Sequence, residues 1–171
     1  MKKNNLGFSL IELIVVVLII AIVAVALAPQ VVKWVENSRI ASDLETRTNL
    51  ENYCILAIAN EDVFDKVKDG GYEIIIKKSP SNSNQVTFEY KENSGGSIIT
   101  YDGGTRPDPE DVFWKAFLNV GAFEDFEDFE EGVAIKTTPA GEDIVLDVHV
   151  YEGGYTFSEL SGTVNGELKV E

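Results

Sequence analysis

One carboxylate, Glu12, interrupts an apolar segment that runs from Phe8 to Ala28, of which Leu13 to Ala28 is sixteen consecutive uncharged residues. At a bilayer centre such a charge costs about 2.5–3.5 kcal/mol, and a buried charge persists only when it is paired. The chemistry Glu12 offers is therefore ion pairing. Catalytic alternatives are few elsewhere in the chain. With one cysteine, Cys54, and one histidine, His149, most nucleophile–base pairs and histidine-rich zinc sites are excluded, and no intrachain disulfide can form. Neither a phosphate-binding glycine loop nor a catalytic triad is present, so the chain reads as a non-enzyme. The densest cluster of oxygen ligands is Glu124 to Glu131, six carboxylates within eight residues, and Ca²⁺ favours several such ligands. Phe123, Phe126 and Phe129 recur every third position, however, and an EF-hand's spacing and glycine are missing. The run therefore predicts a short helical turn that docks its phenylalanines and leaves its acids in water. Neither a metal nor a cofactor is expected.

Glu12 must be positioned by the N-terminal segment, which can be read in more than one way. Lys2 and Lys3, the apolar stretch and Ala26-Leu27-Ala28 have the layout of a secretory signal peptide. Against it stand Glu12 near the start of the apolar stretch and Pro29 just after the candidate cut. As a plain anchor, Phe8 to Ala28 is 21 residues, about 31 Å of helix and enough to cross the hydrocarbon core. Lys2 and Lys3 would hold its N-terminus in the cytoplasm. That reading leaves Glu12 unexplained.

The string Lys2-Lys3-Asn4-Asn5-Leu6-Gly7, followed by Phe8-Ser9-Leu10-Ile11-Glu12 and then by Pro29, resembles the type III signal of type IV pilins and pseudopilins. The resemblance covers about residues 1 to 35. It implies cleavage between Gly7 and Phe8 by a prepilin peptidase, N-methylation of Phe8, and assembly through Phe8, Glu12 and Pro29. The implied partners are other copies of the chain, the peptidase, an assembly platform protein and an ATPase, with the cytoplasmic membrane holding the subunit before assembly. The implied location is a single-pass membrane protein with a cytoplasmic N-terminus, then a surface filament of the kind that serves adhesion and motility. Ala21 stands where family members often carry glycine, eight positions before the proline. After cleavage the Phe8 amine would be a cation, and four residues of helix rise about 6 Å. A neighbouring copy displaced by about one turn would thus bring its amine level with Glu12, so that the ion pair sets subunit register. Pro29 would kink or open the helix, or else mark its end.

The other elements follow from periodicity. Between residue 30 and about residue 60 there is neither glycine nor proline. Ile40, Ala41, Leu44, Thr48, Ile55, Ile58 and Ala59 form a moderate helical stripe, interrupted by Arg47 and Glu51. Asp43 with Arg47, and Arg47 with Glu51, are spaced for pairing at i,i+4. Cys54 reads as a small buried apolar residue. Past residue 70, Tyr72–Ile76, Gln85–Tyr90 and Ser97–Tyr101 predict a three-stranded meander joined by turn-rich SPSNSN and ENSGG. Asp108, Pro109 and Gly121 bracket a predicted helix whose Val112, Phe113, Ala116 and Phe117 face the sheet. Val133–Thr137, Ile144–Tyr151 and Gly162–Val170 read as further strands, with His149 on a polar face.

The resulting fold class is pilin-like α+β: a long helical spine over about residues 8–60, packed on a C-terminal antiparallel sheet head. By segment this is a leader at 1–7, a membrane or filament-core helix at 8–29, its amphipathic continuation at 30–62 and a β-rich head at 63–171. The formal net charge is −15, which disfavours bulk nucleic-acid binding. The leading expectation is a structural subunit, the major pilin, of a type IV pilus-like filament. Its alternatives are a pseudopilin of a type II secretion or competence (DNA-uptake) system and a monomeric membrane-anchored binding domain.

Overall fold

The computed structural model describes residues 9–78, 86–94, 96–136 and 143–157. By its internal contacts the chain divides into two units, Met1–Ser38 and Arg39–Glu171. One helix, α1 (Leu10–Ile58), runs through both, and Pro29 lies inside it. Proline lacks the amide hydrogen that would bond four residues back, yet the helix does not end there. The long spine expected over about residues 8–60 is thus found, and the alternative of a helix boundary at Pro29 is not: the flanking residues are strong helix formers or apolar, and one missing bond does not stop them.

The spine gives way at Asn60, whose side chain accepts from the Asp62 N–H at 3.0 Å and starts a short second helix, α2 (Glu61–Val67). That helix was not foreseen, because its seven residues blend into the preceding pattern. A meander follows: β1 (Gly71–Lys78), β2 (Val86–Ser94) and β3 (Ser97–Tyr101). Then come α3 (Val112–Gly121), α4 (Phe126–Gly132), β4 (Asp143–Tyr151) and β5 (Gly154–Phe157). The five strands are antiparallel in the order β3-β2-β1-β4-β5. With β1 central, Ile74 lies between Tyr90 of β2 and Leu146 of β4.

Alternation along β4 turns Ile144, Leu146, Val148 and Val150 into the core and leaves His149 exposed, as a period of two requires. The inner face of the sheet meets Leu50, Cys54 and Ile58 of α1, Val63 and Val67 of α2, and an aromatic cluster from α3 and α4. Tyr72 stacks on Phe113 at 3.8 Å between ring centroids, Tyr90 meets Phe126 edge-on at 5.0 Å, and Phe117 meets Phe129 at 5.4 Å. Phe113, Trp114, Phe117 and Phe129 have no exposed surface; burying such rings is among the largest single apolar contributions available.

Several boundaries differ from the sequence reading. Asp111, not Asp108, caps α3, accepting from the Phe113 N–H at 3.0 Å, while Asp108 fixes the preceding turn by accepting from Glu110. At the other end Gly121 is still helical and Ala122 takes the left-handed conformation, φ 58°. Gly121 is needed for another reason: a Cβ there would lie 2.1 Å from the Phe123 ring, so glycine lets Phe123 fold back over the helix end. The expected strand at Val133–Thr137 is absent over residues 133–136: Ile135 packs into the core, and the Lys136 N–H, which a strand would give to a neighbouring strand, is engaged by Asp43 of α1 at 2.8 Å. Thr137 and the expected strand Gly162–Val170 lie outside the described residues. The hairpin strand β5 was not foreseen.

The buried face of α1 also departs from the expected stripe. Asp43, Leu50, Cys54, Ala57 and Ile58 are buried, whereas Ala41, Thr48 and Ala59 are exposed. The difference arises because polar residues share the inward face. Asp43 is held by a backbone donor, and Arg47 pairs with Glu51 at 3.0 Å.

Candidate functional site

Gly7 and Phe8 lie outside the described residues, so the geometry of the N-terminal site begins at Ser9. There the Glu12 carboxylate reaches back and accepts from the Ser9 backbone N–H at 2.8 Å, while the Glu12 N–H donates to the Ser9 carbonyl at 3.1 Å. The first turn of a helix has N–H groups without intrahelical partners, and a glutamate three residues after a serine can satisfy one of them, as in a capping box. The helix dipole further favours a negative charge at this end. Glu12 thus has a partner within its own chain. The sequence reading missed it, although Ser9-Leu10-Ile11-Glu12 is the signature of this cap.

Beyond the cap, α1 carries a run of apolar side chains that are exposed. Leu10, Ile11, Leu13 to Ile20, Ile22, Val23, Val25 and Leu27 are all exposed, and so are Val31, Val32, Trp34 and Val35 past Pro29. Exposed apolar patches on soluble monomers seldom exceed a few hundred Å². A surface of this kind must be covered by lipid or by other protein, and the helix is long and apolar enough to cross a membrane. Residues 21 to 29, Ala21 included, are helical throughout.

The acidic stretch of the head is arranged as a docked turn. Phe126 and Phe129 are buried and Phe123 is partly so, which holds α4 against the core. Asp125 caps the helix, accepting from the Glu127 and Asp128 N–H groups at 2.8 and 3.0 Å. Asp128 accepts from the Glu124 N–H. Glu130 accepts from the Tyr90 hydroxyl at 2.8 Å and from Arg106, whose Nη2 lies 2.7 Å away. Burial, and then the adjacent Glu130 charge, push the Tyr90 hydroxyl far above its ordinary range, keeping it a donor. Among the described residues no group of three or more histidine, cysteine, aspartate or glutamate side chains is arranged to hold a metal. Cys54 is buried, and that burial raises its thiol, so it packs as an apolar residue.

The outer face of the sheet carries a charged ladder. Lys77 bonds Glu89 at 2.8 Å, and Lys91 bonds Glu73 at 2.9 Å and lies 3.6 Å from Glu89. The hydrogen bond from Lys77 and then its charge, helped by Lys91, hold the Glu89 carboxyl below its usual range. Asp147 sits directly across from Glu73; partial burial first, and then this like charge, raise its carboxyl.

Compared with known families, residues 2–28 match the model described as the prokaryotic N-terminal methylation motif. Comparison with curated proteins and with solved structures gave no match.

Proposed function

We propose that this chain, whose residues 2–28 match the prokaryotic N-terminal methylation motif, is a structural protein of the type IV pilin and pseudopilin family, and within it the major subunit of a type IV pilus-like filament. The observation that carries this reading is the uncovered apolar surface of α1 from Leu10 to Leu27. Lipid covers it in the stored subunit, and copies of the same helix cover it in the filament, with about 25 cal/mol gained per Å² of apolar area removed from water. The family implies processing by a prepilin peptidase and assembly into filaments. We assign the cleavage to the Gly7–Phe8 bond and the methylation to the new Phe8 amine. Glu12 then exchanges its own Ser9 N–H for the amine of a neighbouring copy, which couples assembly to correct axial register. Pro29 leaves one carbonyl of α1 without its helical donor, giving the packed helix a point at which to bend. An assembly platform protein and an ATPase are the further partners of this reading.

Sheared surface material tests it. Long filaments made of a chain that begins at methylated Phe8, by electron microscopy and N-terminal mass analysis, are the expected result. The same start in short periplasmic or envelope-bound assemblies would assign the chain to a pseudopilus instead. An unprocessed, monomeric membrane protein would overturn both.

A further inference from the structure

The apolar surface of α1 does not stop at Ala28. Val31, Val32, Trp34 and Val35 follow Pro29 on the same continuous helix and are 46 %, 69 %, 63 % and 46 % exposed, with Gln30 and Lys33 the only polar side chains among residues 30–35. Trp34 makes no ring contact among the described residues. A bilayer span ending at Ala28 would leave this second apolar stretch, and a tryptophan, in water.

We propose that the stored subunit sits deeper along its axis than the apolar run alone indicates, with Leu13–Val32 as the hydrocarbon span, Glu12 at the cytoplasmic edge, and Lys33 and Trp34 in the outer headgroup layer of a phospholipid bilayer. This rests on the membrane-stored subunit of the proposed function. Three features agree on that placement. Glu12 and Trp34 are 22 residues apart, about 33 Å of helix against a hydrocarbon core of about 30 Å. Tryptophan concentrates at membrane interfaces, where its apolar ring is half-immersed and its N–H finds an acceptor. Lys33 puts an ammonium at the level of the lipid phosphates and can extend along its apolar neighbours to reach them. The next charged residues, Glu36 and Arg39, then fall outside the bilayer. At the other face Glu12 is hydrated instead of buried in hydrocarbon, so the carboxylate is stored where it costs least and still heads the span.

The chain has two tryptophans, and Trp114 has no exposed surface in the head, so lipid-borne quenchers report on Trp34. The full chain is reconstituted in phosphatidylethanolamine–phosphatidylglycerol vesicles carrying bromine either near the headgroup end of the acyl chain or near its terminus. Shallow bromines should quench the emission at least twofold more than deep ones, and Trp34→Phe should abolish the quenching without changing flotation. A chain that floats with the vesicles but shows no quenching, or quenching strongest at the deep position, would overturn this register while leaving the membrane-stored subunit intact. Emission that shifts with the protein-to-lipid ratio and not with bromine would assign Trp34 to contact with a second copy, and likewise overturn it. Failure to float with vesicles would remove the premise along with the inference.

Discussion

Glu12 can be satisfied in two ways, and substitutions separate them. Glutamine can still accept from the Ser9 N–H as a capping residue but carries no charge for an amine, whereas alanine can do neither. Both Glu12→Gln and Glu12→Ala should abolish filaments in sheared fractions while membrane insertion persists, and only the alanine variant should fray the first turn. Normal assembly by the glutamine variant would restrict Glu12 to its capping role. In the head, the ladder on the outer sheet face sets opposite pH dependences. Glu89 is depressed by its lysines, so its contribution is present above the carboxylate's unfolded range and is lost as pH falls through its lower, folded value. Asp147 is raised, by burial and then by Glu73, so folding favours its protonated form and its charge weakens the head at neutral pH. Asp147→Asn should therefore stabilise the full chain at pH 7 by about 0.5 kcal/mol, the scale of a cross-strand like-charge pair partly screened by solvent. The gain should shrink as the wild-type carboxyl protonates on acidification. Thermal melts of the detergent-solubilised chain at pH 7 and pH 4 would check it.

At the scale of elements, two attachments hold the head together. Asp43 of α1 is 1 % exposed and accepts from the Lys136 N–H, while Lys136 Nζ donates to Ser42 at 2.9 Å. Removing that acceptor leaves a backbone N–H without its partner, so Asp43→Ala should cost about 2 kcal/mol in urea unfolding and Asp43→Asn, which keeps an acceptor oxygen, distinctly less. The second attachment is α4. Phe129 has no exposed surface, and Phe129→Ala should cost about 3–5 kcal/mol, as for other buried aromatics truncated to alanine. Neutralising the exposed Glu127 should change the melting temperature little, with or without added Ca²⁺. A Ca²⁺-dependent rise in that melt would show that the acidic turn binds the ion after all.

At the scale of the whole molecule, charge opposes what the apolar helix favours. The proposed cleavage after Gly7 would remove Lys2 and Lys3 and leave 12 basic side chains against 29 acidic ones, a side-chain charge of −17. Packed copies repel one another, and salt shortens the reach of that repulsion to about 10 Å at 0.1 M. Filaments should therefore sediment more completely at 0.3 M than at 0.01 M salt. The opposite trend would mean that specific ion pairs between heads outweigh their net repulsion.

Local chemistry carried much of this protein in its sequence. The apolar run with its one glutamate, the meander with its turns, the alternation of β4 and the triplet spacing of Phe123, Phe126 and Phe129 each depend on neighbours a few residues away, where spacing alone decides which side chains share a face. The methylation signal is local in the same sense. Other features were decided only by tertiary contact. Asp43 could be buried, against its polarity, because a backbone donor 93 residues away meets it. Trp114 became core because Tyr72, Tyr90 and Phe126 close around its ring, and at Val133–Lys136, which did not become a strand, the Lys136 N–H is taken by α1. Glu130 left the solvent to join Tyr90, 40 residues distant. Such pairings depend on which surfaces the fold brings together, and the cost of an unpartnered buried polar group, more than any local propensity, fixes the outcome.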